Sequence, residues 1–125
     1  PVVFGRVRDR FFFGLPGNPL SAFVTFELFV RPALIVLAGA PFEEPVFLRA
    51  HLARDRAAKA STQHLTVFAP ARVVMLNGVP VVDCVPSQGS GDLVSLSAAN
   101  CFLVQHPGQT SMSAGEWVDV LLKLN

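Results

Sequence analysis

The sequence predicts an α/β segment followed by a small all-β domain, and three observations carry that reading. Residues 1–39 run strand–strand–helix. Residues 46–125 change texture to short alternating strands broken by turns. Between them, residues 40–45 hold Pro41, Glu43, Glu44 and Pro45, the composition of a linker. The first piece is too small to own a core, whereas the second, about 80 residues, is large enough to fold.

Residues 2–4 and 10–15 read as two short strands around a turn region at Gly5–Asp9. Phe11, Phe12, Phe13 and Leu15 are apolar on both faces, which suits a strand buried on both sides. Gly14-Leu15-Pro16-Gly17-Asn18-Pro19 is a dense turn signal. Asn18 can cap a helix through its side-chain oxygen, and Pro19 fits the first helical position. The helix is expected from Pro19 to about Ala38, with Phe23, Phe26, Val30, Ala33, Leu34 and Leu37 on one stripe. Glu27 and Arg31 are four apart and can pair on the polar side. Pro32 should kink or divide the helix, and Gly39 should end it. At about 30 Å the helix is long enough to cross a bilayer, but Glu27 and Arg31 near its centre argue against that.

Beyond the linker, strands are expected at 46–52, 65–76, 79–85, 101–105 and 117–124. Asn77-Gly78 is a strong hairpin signal between the second and third. Asp92 to Ala99 reads as one short helix. Many short strands joined by turns suggest a small barrel or sandwich.

Composition narrows the function classes. Hydrophobic residues make up 51% and charged residues 15%, so the chain is not disordered by composition. The net charge of +1 gives no reason to expect nucleic acid or a membrane surface as partner. The basic cluster Arg49, Arg54, Arg56 and Lys59 is interrupted by Asp55 and reads as a solvated strand end and loop. Cys84 and Cys101 sit in apolar strand sequence and read as small buried hydrophobes. No CxxC spacing or His pair marks a metal site. His51, His64 and His106 read as surface histidines, and Trp117 as core. The N-terminus lacks a signal-peptide pattern, so the cytoplasm is the expected setting. The chain opens on Pro1 inside a strand and its mean hydropathy is high. Both suggest part of a longer protein, with apolar surface that the remainder or a partner would cover.

Two loops can carry chemistry. Gly14 to Ser21 joins a strand to a helix N-terminus, whose free amides and partial positive charge suit an anion such as phosphate or molybdate. Gly17 would let a ligand approach the backbone closely. A tight turn with a good cap fits the same residues. Gln88-Gly89-Ser90-Gly91-Asp92 precedes the short helix, where Ser90 can hold an oxyanion or serve as a plain cap. No nucleophile–base–acid arrangement stands out.

The run Phe12-Phe13-Gly14-Leu15-Pro16-Gly17-Asn18-Pro19-Leu20-Ser21-Ala22, continuing through Thr25-Phe26-Glu27-Leu28-Phe29-Val30-Arg31-Pro32, resembles the molybdopterin molybdotransferases of the MoeA/gephyrin family. A second match is Gln88-Gly89-Ser90-Gly91-Asp92-Leu93, then Ala98-Ala99-Asn100-Cys101-Phe102, then Gly115-Glu116-Trp117-Val118. Together these cover most of the chain. The resemblance implies that residues 1–39 end a MogA/MoaB-like α/β molybdopterin-binding domain. It implies that residues 46–125 form the family's C-terminal β-barrel domain IV. It further implies a homodimer that takes molybdate and adenylylated molybdopterin and needs a divalent cation, usually magnesium. The products are AMP and molybdenum on the pterin. An upstream adenylyltransferase is the implied partner.

By the same match, Pro16, Gly17, Asn18, Pro19 and Ser21 shape or line the cofactor-binding loop, and Ser90 lies on the barrel side of the cleft as a catalytic residue. The family's lysine-bearing segment and its Gly- and Asp-rich, magnesium-binding loop lie upstream of the position of Pro1. In the second barrel strand the family often places an arginine two residues after a phenylalanine. Here Phe68 is followed by Pro70, and Arg72 stands two residues further on the same face, about 7 Å away. Arg72 is therefore the expected substitute. The competing expectation is a non-catalytic protein-binding or scaffolding module of the gephyrin type.

Overall fold

A computed structural model describes residues 1–87 and 92–124. The chain divides into two compact units, one built on Pro1–Pro45, the other on Val46–Ser87 and the residues from Val94 onward.

In the first unit, β1 (Val3–Val7) and β2 (Arg10–Gly14) pair antiparallel in a two-stranded sheet. The register sets Phe4 against Phe13 and Gly5 against Phe12. Phe4, Phe11 and Phe13 share one face, where their rings meet at 4.9 and 5.8 Å. On the other face the Phe12 ring lies across Gly5. A Cβ there would come within 2.3 Å of the ring, so any other residue would push the Phe12 ring off this position. The expectation that Phe11–Leu15 is buried on both faces does not hold within this chain. Phe11 and Phe12 remain exposed, because no third strand pairs with the hairpin among the described residues.

The helix runs from Pro19 to Leu37 in three parts: α1 (Pro19–Thr25), a π-helical turn (Phe26–Val30) and α2 (Arg31–Leu37). By length and composition it could cross a membrane. Pro32 has no N–H, and its ring would crowd the carbonyl four residues back in a regular helix. The chain relieves this by widening the turn ahead of it: the Arg31 amide donates to Phe26 O, five residues back. The helix is not stopped, but the widened turn divides it into α1 and α2, in keeping with the expectation for Pro32. Glu27, expected on the polar side beside Arg31, is buried instead.

The second unit contains a closed five-stranded barrel in the order β3-β6-β5-β7-β9. The strands are β3 (Phe47–Leu52), β5 (Val67–Leu76), β6 (Val79–Cys84), β7 (Cys101–Gln105) and β9 (Trp117–Leu122). β3 closes the barrel. It pairs antiparallel with β9 and parallel with β6 at His51 and Leu52. Of the two all-β forms the strand pattern allowed, the barrel is the one adopted. Asn77 and Gly78, at φ 50° and 79°, make the left-handed turn between β5 and β6 that their sequence signals. Inward positions alternate along every strand. Ala50, Leu52, Ala71, Val82, Cys101, Leu103, Val118 and Val120 form the core, and Met112 closes over it.

In the second unit two short strands and the placing of Trp117 differ from expectation. Two short strands, β4 (Arg56–Ala57) and β8 (Ser111–Met112), pair with each other. Both are too short to show a period in sequence. Arg56, expected in a solvated loop, is half-buried as a result. Trp117, expected in the core, stands on the outer face at 49% exposure, because the alternation of β9 turns Val118 and Val120 inward. There it packs against His51, with ring centroids 3.8 Å apart and planes tilted by 33°.

Cys84 and Cys101 both register with Ala71, one from each side, so two strand spacings of about 4.8 Å separate them. Both thiols are free. Burial pushes the Cys101 thiol from its ordinary 9.0 up to about 12, and moves Cys84 the same way. The sign follows from proton binding. The unfolded chain releases these protons first, so their contribution to stability is complete below the ordinary thiol range and is lost as pH rises towards 12. Urea midpoints should therefore fall from pH 9 upward, and Cys101→Ala should flatten that fall.

β5 is ten residues long and overruns β7. Its unmatched residue Val73 is served by a side chain. The Val73 amide donates to Asn100 Oδ1 at 2.8 Å, and Asn100 Nδ2 donates to Val73 O at 3.0 Å. The carboxamide thus adds one more rung to the ladder. Asn100→Ala should cost about 2 kcal/mol in equilibrium unfolding, since two backbone groups lose their partner. Asn100→Asp should not restore it, because its second oxygen would face the Val73 carbonyl.

Candidate active site

The first loop lies between β2 and α1. Asn18 is the N-cap, with φ −71° and ψ 124°. Its Oδ1 accepts from the amides of Leu20 and Ser21 at 3.1 and 3.2 Å, and its carbonyl accepts from Ala22 at 2.8 Å. Pro19 has no amide proton. Every amide of the first turn is therefore absent or taken, and the expected row of free helix-start donors is not what the geometry provides. What remains are the exposed Gly17 backbone and the Ser21 hydroxyl, which bonds no described residue. A Cβ placed on Gly17 would meet nothing within 4 Å, so the backbone is open to approach there. Thr25 turns its hydroxyl to Ser21 O at 2.7 Å and Ala22 O at 3.1 Å, as a helical threonine does. Pro16 is half-buried and fixes the entry to the turn.

Ser90 lies outside the described residues, as do Gln88, Gly89 and Gly91. Ser95, on the short helix α3 (Leu93–Ala98), is buried and donates to Pro86 O at 2.7 Å. Lys123 Nζ donates to Leu96 O at 2.8 Å and Ala99 O at 3.3 Å.

Arg72 is exposed on β5 and donates through Nη1 to Ala98 O at 3.1 Å. With Lys123 it places two cations at the C-terminal end of α3, where unpaired carbonyls and the negative end of the helix dipole favour them. That end is about 9 Å along the helix from the end that follows Ser90. The structure thus assigns Arg72 a capping bond. Sequence reasoning missed Lys123 and Ser95, which carry no motif signal. Asn100 lies in the stretch Ala98-Ala99-Asn100-Cys101-Phe102, which gave no sign of its role. Among the described residues no group of three His, Cys, Asp or Glu is placed to hold a metal ion.

The barrel places the chain among small closed-barrel domains. Its sequence narrows the class, because residues 49–123 match the MoeA C-terminal region (domain IV). The chain belongs to the MoeA family. It is 36% identical over 118 residues to the molybdopterin molybdenumtransferase of Staphylococcus aureus strain COL, which covers 93% of this chain and 27% of the relative. Over 39 residues it is 59% identical to the molybdenum cofactor synthesis protein cinnamon of Drosophila melanogaster, 31% of this chain and 6% of that protein. The crystal structure of the molybdopterin biosynthesis MoeA protein of Pyrococcus horikoshii superposes with a TM-score of 0.67 at 26% identity, over 98% of this chain and 28% of that one. The chain thus spans about a quarter of the length of relatives of this kind.

Asn18→Ala should remove the cap and lower stability by about 1 kcal/mol, read as a shift of the urea midpoint. The Leu20 and Ser21 amides, freed from their acceptor, should then exchange faster with solvent deuterium. Unchanged exchange at both would show that Asn18 does not hold these amides.

Proposed function

We propose that the chain acts in molybdenum cofactor biosynthesis as the C-terminal part of a molybdopterin molybdotransferase. The complete enzyme would move molybdenum from molybdate to adenylylated molybdopterin and release AMP. The observation that carries this is the family match over most of the barrel, joined to 36% identity over 93% of the chain with a relative of that name.

In this reading residues 1–39 are the end of a MogA/MoaB-like α/β domain. Gly17 and Ser21 meet an anionic substrate through an open amide and a hydroxyl, while Pro16, Asn18 and Pro19 hold the loop's shape. Ser90 supplies a further hydroxyl. Fixed donors of this kind stabilise an oxyanion without having to reorganise. Magnesium finds no group of three His, Cys, Asp or Glu placed to hold it among the described residues. A cytoplasmic homodimer supplied by an adenylyltransferase completes the proposal.

A second reading, a protein-binding module, is favoured by one observation. The hairpin and helix of the first unit expose Phe4, Phe11, Phe29 and Leu37.

The test measures AMP release from adenylylated molybdopterin with molybdate, by the 125-residue chain and by a protein of the relatives' full length. Turnover is expected only from the longer protein. There, Ser90→Ala should lower molybdate-dependent turnover at least tenfold with an unchanged unfolding midpoint. Turnover unaffected by Ser90→Ala removes that residue, and absence of turnover in the longer protein favours the binding module.

A further inference from the structure

A serine hydroxyl within a helix ordinarily bonds a carbonyl of the turn before it. Ser95 does otherwise. It is 2% exposed, and its Oγ donates at 2.7 Å to Pro86 O, nine residues back and outside the helix. Residues 87–94, Ser90 among them, lie between the two partners.

Both partners are themselves tied to β5. On one side the Val85 amide donates to Pro70 O at 2.9 Å, and Pro86 follows with its φ fixed by the ring. On the other, Arg72 bonds Ala98 O at 3.1 Å, and the Asn100 amide donates to Ala71 O at 3.1 Å. These bonds reach each flank separately. The bond from Ser95 joins the flanks to each other and so closes a ring of contacts through β5, the end of β6 and α3. All of these residues lie in the barrel unit.

We infer that Ser95 is a positioning residue for Ser90, a role that rests on the function proposed above. Ser95 touches no substrate. Its bond sets the separation of the two chain ends between which Ser90 is carried. A displacement of about 1 Å at a reacting group can cost on the order of 10²-fold in rate. Loss of the bond should therefore slow the chemical step and leave the affinity for the pterin substrate in place.

The test compares Ser95→Ala, Ser90→Ala and the double variant in a protein of the relatives' full length. Alanine suits a helix, so α3 is kept. Val82→Ala, which thins the barrel core, is the control for stability alone. In hydrogen–deuterium exchange, Ser95→Ala should speed the amides of Val85 and Ala99, bonded to Pro70 O and Ser95 O, at least tenfold more than that of Leu52, bonded to Glu116 O. In AMP release, Ser95→Ala should lower kcat at least fivefold, with KM for adenylylated molybdopterin within twofold. The double variant should be within twofold of Ser90→Ala, and Val82→Ala should keep its kcat despite a lower urea midpoint. Unchanged exchange at Val85 and Ala99 overturns the inference. So does a double variant whose loss is the product of the single losses, or an equal fall in kcat from Val82→Ala. A slow Ser95→Ala beside a fully active Ser90→Ala overturns it as well, since the effect would not pass through Ser90. Absence of turnover in the unsubstituted protein is instead a failure of the proposed function, which takes the positioning role with it whatever the exchange rates.

Discussion

Closure of the barrel through β3 is the constraint on which the second unit rests. A five-stranded sheet left open would carry two rows of unpaired backbone groups. β3 removes both by pairing antiparallel with β9 and parallel with β6. So narrow a barrel has little interior, and its inward positions alternate small with larger residues: Ala50 then Leu52 on β3, Cys101 then Leu103 on β7. Register is strongly specified for the same reason. A one-residue slip of β3 would turn Ala50 and Leu52 outward and bring Arg49 and His51 into the core.

Closure also determines where the polar side chains must work. The strands differ in length, so the ends of the barrel leave backbone groups that the ladder does not reach. Pro70 sits where β5 has run past β6, so its missing amide breaks no rung, and its carbonyl still receives Val85 at 2.9 Å. Asn100 completes the overhang on the other side. Arg72 and Lys123 satisfy the last carbonyls of α3, a helix too short to persist on its own. Side chains that look functional by type are thereby engaged in finishing the barrel. Arg56 stands apart because its reach towards the core ends at a neutral thiol, that of Cys84.

Much of the barrel was legible because period-2 alternation and the Asn-Gly turn are local signals. β5, β6, β7 and β9 fall close to their expected places. The two-residue strands were not legible, since two residues cannot display a period, and Arg56 was misplaced with them. Trp117 was misjudged by residue type, although the alternation of its own strand already placed Val118 and Val120 inward. Of the candidate site, Asn18 and Pro19 were legible as a cap and a first helical residue. That the cap would use up the amides offered to an anion was legible only from distances. The bond from Arg72 to Ala98 joins residues 26 apart, and no spacing rule reaches that far.

The helix of the first unit illustrates how one residue can mislead a periodic reading. A π turn carries about one extra residue, so the face after it is rotated by roughly 100° from the face a constant 3.6 spacing predicts. The stripe drawn from Phe23 to Leu37 crosses that turn. Past it, Leu34 and Leu37 stand 50% and 59% exposed, while Pro32 is buried. Glu27 lies inside the widened turn and is buried at 5% exposure, although a regular helix would have turned it with Arg31 to the polar side. A carboxylate is not buried without donors to meet it, so the widened turn relieves Pro32 and also sets the direction of an acidic side chain. Its cause is the proline five residues on. Replacing that proline alone would return the amide, close the turn and swing the carboxylate.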